Sequence, residues 1–423
     1  MVLGKRLLGV IGSGAMGSGI AQAAATAGFV VETMDTSPEL VREAYTGIAE
    51  RLDVRVAAGK MSREEREEIV SRLKVTTDYG SLENAECIIE AVPEDLTLKR
   101  EIFSKMDEMA SPQTLLATNT SSLSISKIAD GMKRADRFLG MHFFNPVPAM
   151  ELVELVEGPA TSEQTMVAAR AICTKLDKTA VKVKDSPGFI GNRVNRPFYL
   201  EALRLVTNGE ADITTVDQAT KDVGGLRMGP FELLDLIGLD VNLRVTETIY
   251  NDFGKPTRFA PNAVQQEFVA RGHLGRKTKR GFYDYSDGQV MPAYETPLVD
   301  ASSWKPTPAL SAFAKAWERP ADRAMWVYAR IFTAVMNEAA LVADSIARPR
   351  DVNLTMELGF NYSEGPLAVA DHIGLDVMQR LLADFHEETD HDERYKASPL
   401  LDRLVAEGDL GEETAKGFLY HTL

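Results

Sequence analysis

The sequence predicts an α/β domain built on a mostly parallel sheet, followed by two all-α domains related by internal duplication. Three observations carry this expectation. Short apolar runs alternate with helical patterns up to residue 184. From residue 185 the alternation stops and amphipathic helices dominate. The last third of the chain then repeats the middle third at a constant spacing. Alternating strands and helices imply a parallel sheet covered on both faces.

Taken in order, residues 5–12 (KRLLGVIG) read as a strand ending in glycine. The Ala-rich segment 15–27 reads as a closely packed helix, and 29–35 (FVVETMD) as a strand ending in Asp. Strand, turn, helix and strand make one βαβ unit. A helix over 37–59 follows, then one over 61–73 that opens on a capping box from Ser62 to Glu65. Further strands are expected at 87–92, 115–118, 137–144 and 180–184, with a helix at 98–110. These elements fill the first domain, 1–184.

Helices expected at 190–208, 212–223, 229–250 and 260–270 make a first helical domain, 185–285. The stretch 286–320 carries five prolines and reads as a linker. The second helical domain, 321–423, copies the first. Gly229-Pro230-Phe231 returns as Gly365-Pro366-Leu367, and Ile237-Gly238-Leu239-Asp240-Val241 as Ile373-Gly374-Leu375-Asp376-Val377. Leu274-Gly275 returns as Leu410-Gly411, Thr278 as Thr414 and Gly281-Phe282 as Gly417-Phe418, always 136 positions later. Such a pair is expected to pack about a pseudo-twofold axis, as a dimer would.

Composition narrows the function. The 423 residues are 44% hydrophobic and 26% charged, an ordinary globular balance that excludes a disordered chain. Only two cysteines occur, Cys87 and Cys173, both in apolar segments. They read as buried thiols in a reducing compartment rather than a disulfide framework. A net charge of −15 repels a polyanion, so no nucleic-acid partner is expected. The apolar stretch 7–31 is broken by glycines and polar residues. It reads as neither signal peptide nor membrane span, so no membrane partner and a cytoplasmic location are expected. No metal set is expected: His372, His386 and His391 lie among acids but not at ligand spacing with Cys or Glu on one face, and the run 384–388 reads as a solvated face.

Gly12-Ser13-Gly14-Ala15-Met16-Gly17 is a G-x-G-x-x-G turn. Glycines punctuate many loops, so its context decides. It follows a strand, opens a helix, and Asp35 ends the next strand 18 positions after Gly17. This is the Rossmann-type arrangement. Gly12 permits the tight turn, Gly14 lets a pyrophosphate approach, and Gly17 lets helix and strand pack. The helix start offers free N–H groups to phosphate, and Asp35 should take the ribose hydroxyls and repel a 2′-phosphate. The cofactor expected is therefore NAD rather than NADP.

Polar residues beyond the turn suggest chemistry. Asn119-Thr120-Ser121-Ser122 follows a strand, where ligands of open parallel sheets sit, although Ser and Thr there serve equally as a helix cap. His142 lies in GMHFFNP at a strand end, in a dry and rigid setting. Glu154 sits in the apolar run LVELV and needs a partner, unless it is the solvent-facing residue of an edge strand, a description that Glu151 and Glu157 fit as well. A His–carboxylate pair orients an imidazole to take a hydroxyl proton. Asn192, one turn into the helix after the Pro187-Gly188 elbow, either turns back to the cleft or merely starts that helix.

Together these pieces resemble the L-3-hydroxyacyl-CoA dehydrogenase family, 3-hydroxybutyryl-CoA dehydrogenases included. The resemblance rests on GSGAMGSGIA, EAVPEDLTLK, ATNTSSLSI, GMHFFNPVPAMELVE, KDSPGFIGNR, GPFELLDLIGLD and GRKTKRGFYDY, and spans nearly the whole chain. It implies NAD-dependent oxidation of a 3-hydroxyacyl-CoA. In that reading His142 is the base, Glu154 holds it, and Ser121 and Asn192 bind the substrate oxygens. Gly12, Gly14, Ala15, Met16, Gly17 and Asp35 hold the dinucleotide. Glu94, Lys99, Asn119, Ser121, Asn145 and Lys277 line its nicotinamide half. Arg51, Arg55 and Lys60 lie where the family meets coenzyme A. Two departures stand out. Lys279 replaces a glycine of the family's GRKTGRGF pattern, and the helical domain is duplicated, unlike that of the short, single-copy members, with Glu413 in the second copy where the first has Lys277. One active site per chain is expected, with the second copy replacing part of a subunit contact and a homodimer left open. Gulonate-type dehydrogenases and non-catalytic lens proteins of this fold are the competing readings. The basic residues at 51–60 speak against the first, and the intact Ser121, His142, Glu154, Asn192 set against the second.

Overall fold

A computed structural model describes residues 6–287 and 290–420. The chain forms two compact units, Met1–Phe189 and Ile190–Leu423.

The first unit runs β1 (Leu7–Ile11), α1 (Ala15–Thr26), β2 (Val30–Met34), α2 (Pro38–Ala57), α3 (Arg63–Ser71), β3 (Leu73–Thr76), β4 (Cys87–Glu90), α4 (Leu96–Met109), β5 (Leu115–Thr118), α5 (Ile125–Ala129), β6 (Phe138–Phe143), β7 (Leu152–Glu157), α6 (Glu163–Lys175) and β8 (Thr179–Lys184). Eight strands form one sheet in the order β3-β2-β1-β4-β5-β6-β7-β8. The first six in this order are parallel; β7 pairs antiparallel to β6, and β8 parallel to β7. Strands β4, β5 and β6 are buried at every position, as their largely apolar sequences require, and carry Glu90, Thr118 and His142 into the interior with them. The core between sheet and helices includes Val10, Ile20, Val31, Ile89, Leu139 and Cys173. Burial pushes the Cys173 thiol up to about 12 and the Cys87 thiol higher still, so both stay protonated.

Two features differ from expectation. The helix read over 61–73 ends at Ser71, and the next residues form strand β3 on the sheet edge. The capping box from Ser62 to Glu65 is present. Glu154 is not on an edge strand: β7 lies between β6 and β8, and Glu154 has no exposed surface.

The second unit is helical: α7 (Gly191–Val194), α8 (Arg196–Thr207), α9 (Ile213–Asp222), α10 (Pro230–Ile237), α11 (Leu239–Asp252), α12 (Ala263–Ala270), α13 (Pro308–Ala316), α14 (Arg323–Ser345), α15 (Pro349–Phe360), α16 (Pro366–Ile373), α17 (Leu375–Glu388) and α18 (Pro399–Glu407). The 136-residue offset extends to element boundaries. Helix α10 maps on α16 and α11 on α17 residue for residue. The short 3₁₀ turns Thr257–Phe259 and Arg276–Thr278 map likewise on Glu393–Tyr395 and Glu412–Thr414. The unbroken 23-residue α14 stands where the first copy has the two pieces α7 and α8. Within the stretch read as linker, residues 308–316 form α13, capped by Thr307.

The copies are tied by buried charges that run in both directions. Arg258 Nε lies 3.0 Å from Glu338 of the second copy. Its counterpart Arg394 reaches Glu201 of the first copy at 3.3 Å. Glu338 also takes Arg193 Nε at 2.6 Å, and Glu201 accepts the Tyr395 hydroxyl. Both carboxylates are 2% exposed on the side chain. Burial pushes the Glu201 carboxyl up, but Arg204, Arg394, Arg330 and Tyr395 outweigh burial and hold it below its ordinary range.

Candidate active site

The glycine turn connects β1 to α1, and each glycine has a distinct steric reason. Gly12 has φ +99°, and a Cβ there would stand 2.7 Å from the Ala91 carbonyl oxygen. A Cβ on Gly17 would stand 1.9 Å from the Gly12 oxygen. Gly14 has nothing within 4 Å of such a Cβ, so its backbone faces open space where a diphosphate can approach. Ala15 and Met16 open α1, and both line a cavity of about 800 Å³ with Gly12, Gly14, Asp35 and Tyr79. That cavity fits the adenosine half of a dinucleotide.

Asp35 closes the floor of this cavity. It accepts the Ser13 amide at 2.8 Å, the Ser13 hydroxyl at 2.7 Å and the Thr36 amide at 2.7 Å. Partial burial pushes its carboxyl up, but these bonds outweigh burial and hold it below the usual range. The carboxylate is therefore charged at neutral pH, as rejection of a 2′-phosphate requires.

Arg51 departs from the coenzyme A placement. Its Nε donates to Gln22 Oε1 at 2.7 Å, and its side chain lines the dinucleotide cavity. Arg55 and Lys60 are exposed at the end of α2 and just beyond it.

A second group of polar residues follows β4, β5 and β6 at the same sheet edge. Glu94 accepts the Ser121 amide at 2.7 Å, the Ser121 hydroxyl at 3.2 Å and the Thr120 hydroxyl at 2.9 Å. One carboxylate thus holds both Thr120 and Ser121. The helix-cap role falls instead on Ser124, whose hydroxyl accepts the Lys127 amide of α5. Asn119 Oδ1 accepts the Phe143 amide at 2.9 Å and ties this loop to the end of β6. Asn145, exposed, precedes Pro146 in the following loop.

Lys99 differs from the placement on the cofactor surface. It is 1% exposed, and its Nζ lies 2.7 Å from Glu90 and 3.4 Å from Glu94. It acts from beneath, by holding Glu94. Glu90 is fully buried and also accepts the Thr118 hydroxyl and the Val92 amide. Sequence reasoning missed Glu90, although the rule that singled out Glu154, a carboxylate among apolar residues, applies to it equally. Asp185 was missed as well. Its carboxylate accepts the Ser124 hydroxyl and the Ile125 and Ser126 amides, fixing the start of α5.

His142 and Glu154 meet by sheet register. They are direct partners across the antiparallel β6–β7 pair, so both side chains project to one face. His142 Nδ1 lies 2.6 Å from Glu154 Oε2. The ring is flanked by Phe144 at 4.7 Å and Phe189 at 5.9 Å between centroids, and His142 is 7% exposed. A buried imidazole fixed through Nδ1 to a carboxylate has one tautomer, and presents Nε2 as proton acceptor.

Asn192 and Lys277 belong to the second unit. Asn192 lies in α7, half-buried, and its carbonyl accepts Arg196 Nε. Lys277 sits in the 276–278 turn with its Nζ on Asp240. Lys279 has φ +58°, the left-handed region that glycine enters freely, which explains why the family pattern has glycine there.

The chain is similar along its length to proteins of one family. The family model described as 3-hydroxyacyl-CoA dehydrogenase, NAD binding domain, matches residues 7–186. The model for that family's C-terminal domain matches twice, at 188–285 and 326–421. The chain is 35% identical to 3-hydroxyadipyl-CoA dehydrogenase of Escherichia coli over 95% of this chain and 98% of that one. It is 40% identical to a probable 3-hydroxybutyryl-CoA dehydrogenase of Bacillus subtilis, over 66% of this chain and 96% of that one. A crystal structure of 3-hydroxybutyryl-CoA dehydrogenase from Escherichia coli K12 superposes with a TM-score of 0.85 at 33% identity, covering 96% of this chain and all of that one. Among the described residues no helix is long and apolar enough to cross a membrane. The chain belongs to the 3-hydroxyacyl-CoA dehydrogenase family, whose reaction is the NAD-dependent oxidation of a hydroxyacyl-CoA.

Proposed function

We propose that the chain interconverts (S)-3-hydroxyacyl-CoA and 3-oxoacyl-CoA, with His142 as the general base. The observation that carries this is the buried His142–Glu154 pair, 2.6 Å apart, at the sheet edge that also holds the glycine turn. Glu154 accepts the hydrogen bond of Nδ1–H and stabilises the imidazolium that forms when Nε2 takes the C3 hydroxyl proton. Glu94, held by Lys99, fixes Ser121 so that its hydroxyl meets the substrate oxygen. Asn192 supplies the other hydrogen bond to that oxygen, and together they steady the developing carbonyl. NAD, when bound, accepts the hydride that leaves C3. Gly12, Gly14 and Gly17 hold its diphosphate, Asp35 its adenosine ribose, and Asn119, Asn145 and Lys277 its nicotinamide half. Arg55 and Lys60 meet the phosphates of coenzyme A. The second helical copy takes the place of a partner's helical domain. The two buried thiols suit a reducing compartment, the cytoplasm.

The test is NADH consumption with acetoacetyl-CoA, beside NADPH and beside a free keto acid. Loss of NADH with the thioester alone is expected. His142→Gln should lower turnover by roughly 10²- to 10⁴-fold while NADH still binds. Parent-like turnover in that variant would overturn the mechanism.

A further inference from the structure

The second helical copy carries a cluster of metal-ligating side chains that the dehydrogenase reaction does not use. His386 and Glu387 lie in the last turn of α17, and His391 follows in the turn after it. The Nδ1 atoms of His386 and His391 stand 3.4 Å apart, and His391 Nδ1 stands 3.4 Å from Glu387 Oε1. One ligand atom from each of the three lies within 4.8 Å of the others. Bonds of roughly 2.0–2.2 Å at tetrahedral angles place ligand atoms roughly 3.3–3.5 Å apart, the spacing Zn²⁺ imposes on nitrogen and oxygen donors. Two of the three edges already have it. Glu387 is 73% exposed on its side chain and free to turn and close the third.

The backbone makes this convergence. The His391 amide donates to the His386 carbonyl at 2.8 Å, folding the chain back on the helix end. Asp390 and His391 are both left-handed, at φ +53° and +62°. The first copy builds the same turn from Gly254 and Lys255, at φ +75° and +66°, with the Lys255 amide on the Tyr250 carbonyl at 2.8 Å. There the positions of the three ligands are Tyr250, Asn251 and Lys255, none of which suits a metal. The fold alone therefore does not ask for the His–Glu–His set.

The charge around the cluster favours a cation. Six acids and no lysine or arginine lie between residues 384 and 393. Glu388 is engaged elsewhere, on the Trp326 indole nitrogen, and Asp392 binds the Arg394 guanidinium. A proton on His391 Nδ1 can satisfy one of its two neighbours at a time, whereas one divalent ion satisfies all three.

We infer that His386, Glu387 and His391 form a Zn²⁺ site, with solvent in the fourth position. Two imidazoles and one carboxylate suit a borderline transition metal rather than Mg²⁺ or Ca²⁺. The site is structural. It fastens the end of α17 to the turn that leads, three residues later, to Arg394 and its contact with Glu201 of the other copy.

The test is titration of ZnCl₂ into the untagged full chain by calorimetry, with MgCl₂ beside it. One Zn²⁺ more per chain is expected for the parent than for His391→Lys, which carries the residue of the first copy. His386→Ala should weaken binding by more than the roughly tenfold that an outer-shell partner costs. Zn²⁺ should raise Tm in the parent and not in His391→Lys, because a ligand of the folded state stabilises it. Both variants keep parent dehydrogenase activity. Equal Zn²⁺ stoichiometry in parent and His391→Lys, or Mg²⁺ binding as tight as Zn²⁺, overturns the inference.

Discussion

In the first helical copy Asp235 accepts the Phe282 and Tyr283 amides at 2.9 and 2.8 Å; in the second, Asp371 accepts the Phe418 and Leu419 amides at 2.8 Å each. Gly281 and Gly417 leave room for these carboxylates, 2.2 Å or less from where a Cβ would stand. The side chains that satisfy buried backbone have survived in both copies, because an unpaired buried amide is costly. Residues with no such duty have diverged. Lys277 faces Glu413, whereas Asp217, which accepts the buried Phe231 amide, gives way to Asn353, which loses the charge but accepts the equivalent Leu367 amide. The surfaces differ too. Ile237 and Val241 of the first copy are 39% and 44% exposed, whereas Ile373 and Val377 of the second are 7% and 9% exposed. Helix α13 packs on α16 and α17. The second copy thus carries a cover that the first lacks, which fits one working copy and one that braces it.

The largest blow to that pairing should come from Glu338→Ala. It leaves Arg193 and Arg258 without their shared carboxylate, and loss of one partner of a buried ion pair costs about 3–5 kcal/mol. Chemical denaturation would register this. A cost under about 1 kcal/mol would show that the copies do not depend on the crossing charges.

The functional asymmetry is sharpened by exchanging Lys277 and Glu413. Lys277→Glu should weaken NADH binding about tenfold, an effect of about 1.4 kcal/mol, while Glu413→Lys leaves it unchanged. Fluorescence titration of NADH reads both, and equal effects would break the claim of one site per chain.

A smaller difference lies in pH. Burial pushes the Asp217 carboxyl up to about 7, against the hydrogen bonds of Phe231, Tyr283 and Glu232. A carboxyl raised in the folded state stabilises fully below its unfolded value near 4, and that contribution is lost as pH rises through 7. The first copy should therefore lose stability between pH 4 and 7, and Asp217→Asn, the residue of the second copy, should flatten that slope. Tm measured across this range decides it; an unchanged slope would place the titration elsewhere.

The smallest effect concerns two left-handed residues, Lys279 and Ala415, both at φ +58°. Glycine at either should stabilise by about 0.5–1 kcal/mol, once the strain relieved is set against glycine's greater unfolded entropy. Thermal unfolding of each variant measures this.

Much of this was legible in residue order. The glycine turn, the 136-residue offset and the His142–Glu154 pairing each rest on local pattern or on spacing that strands convert into contact. Strand β3 was not legible, because LKVT carries only four residues directly after a helix. Helix α13 hid among prolines, one of which, Pro308, starts it. Resemblance alone places Lys99 on the cofactor; only the sheet shows Glu90 beneath it. The crossing arginines could not be foreseen, since the partner of Arg258 is not the duplicate of the partner of Arg394.

That last mismatch has a consequence for how such a pair can change. Glu201 corresponds to Asn337, and Glu338 to Ala202. Between two identical subunits every substitution is made twice, and a change that helps one side of the seam must be tolerated on the other. Once both halves share one chain, each side mutates alone. A carboxylate can appear on one side and disappear from the other, and the seam drifts away from symmetry while still holding.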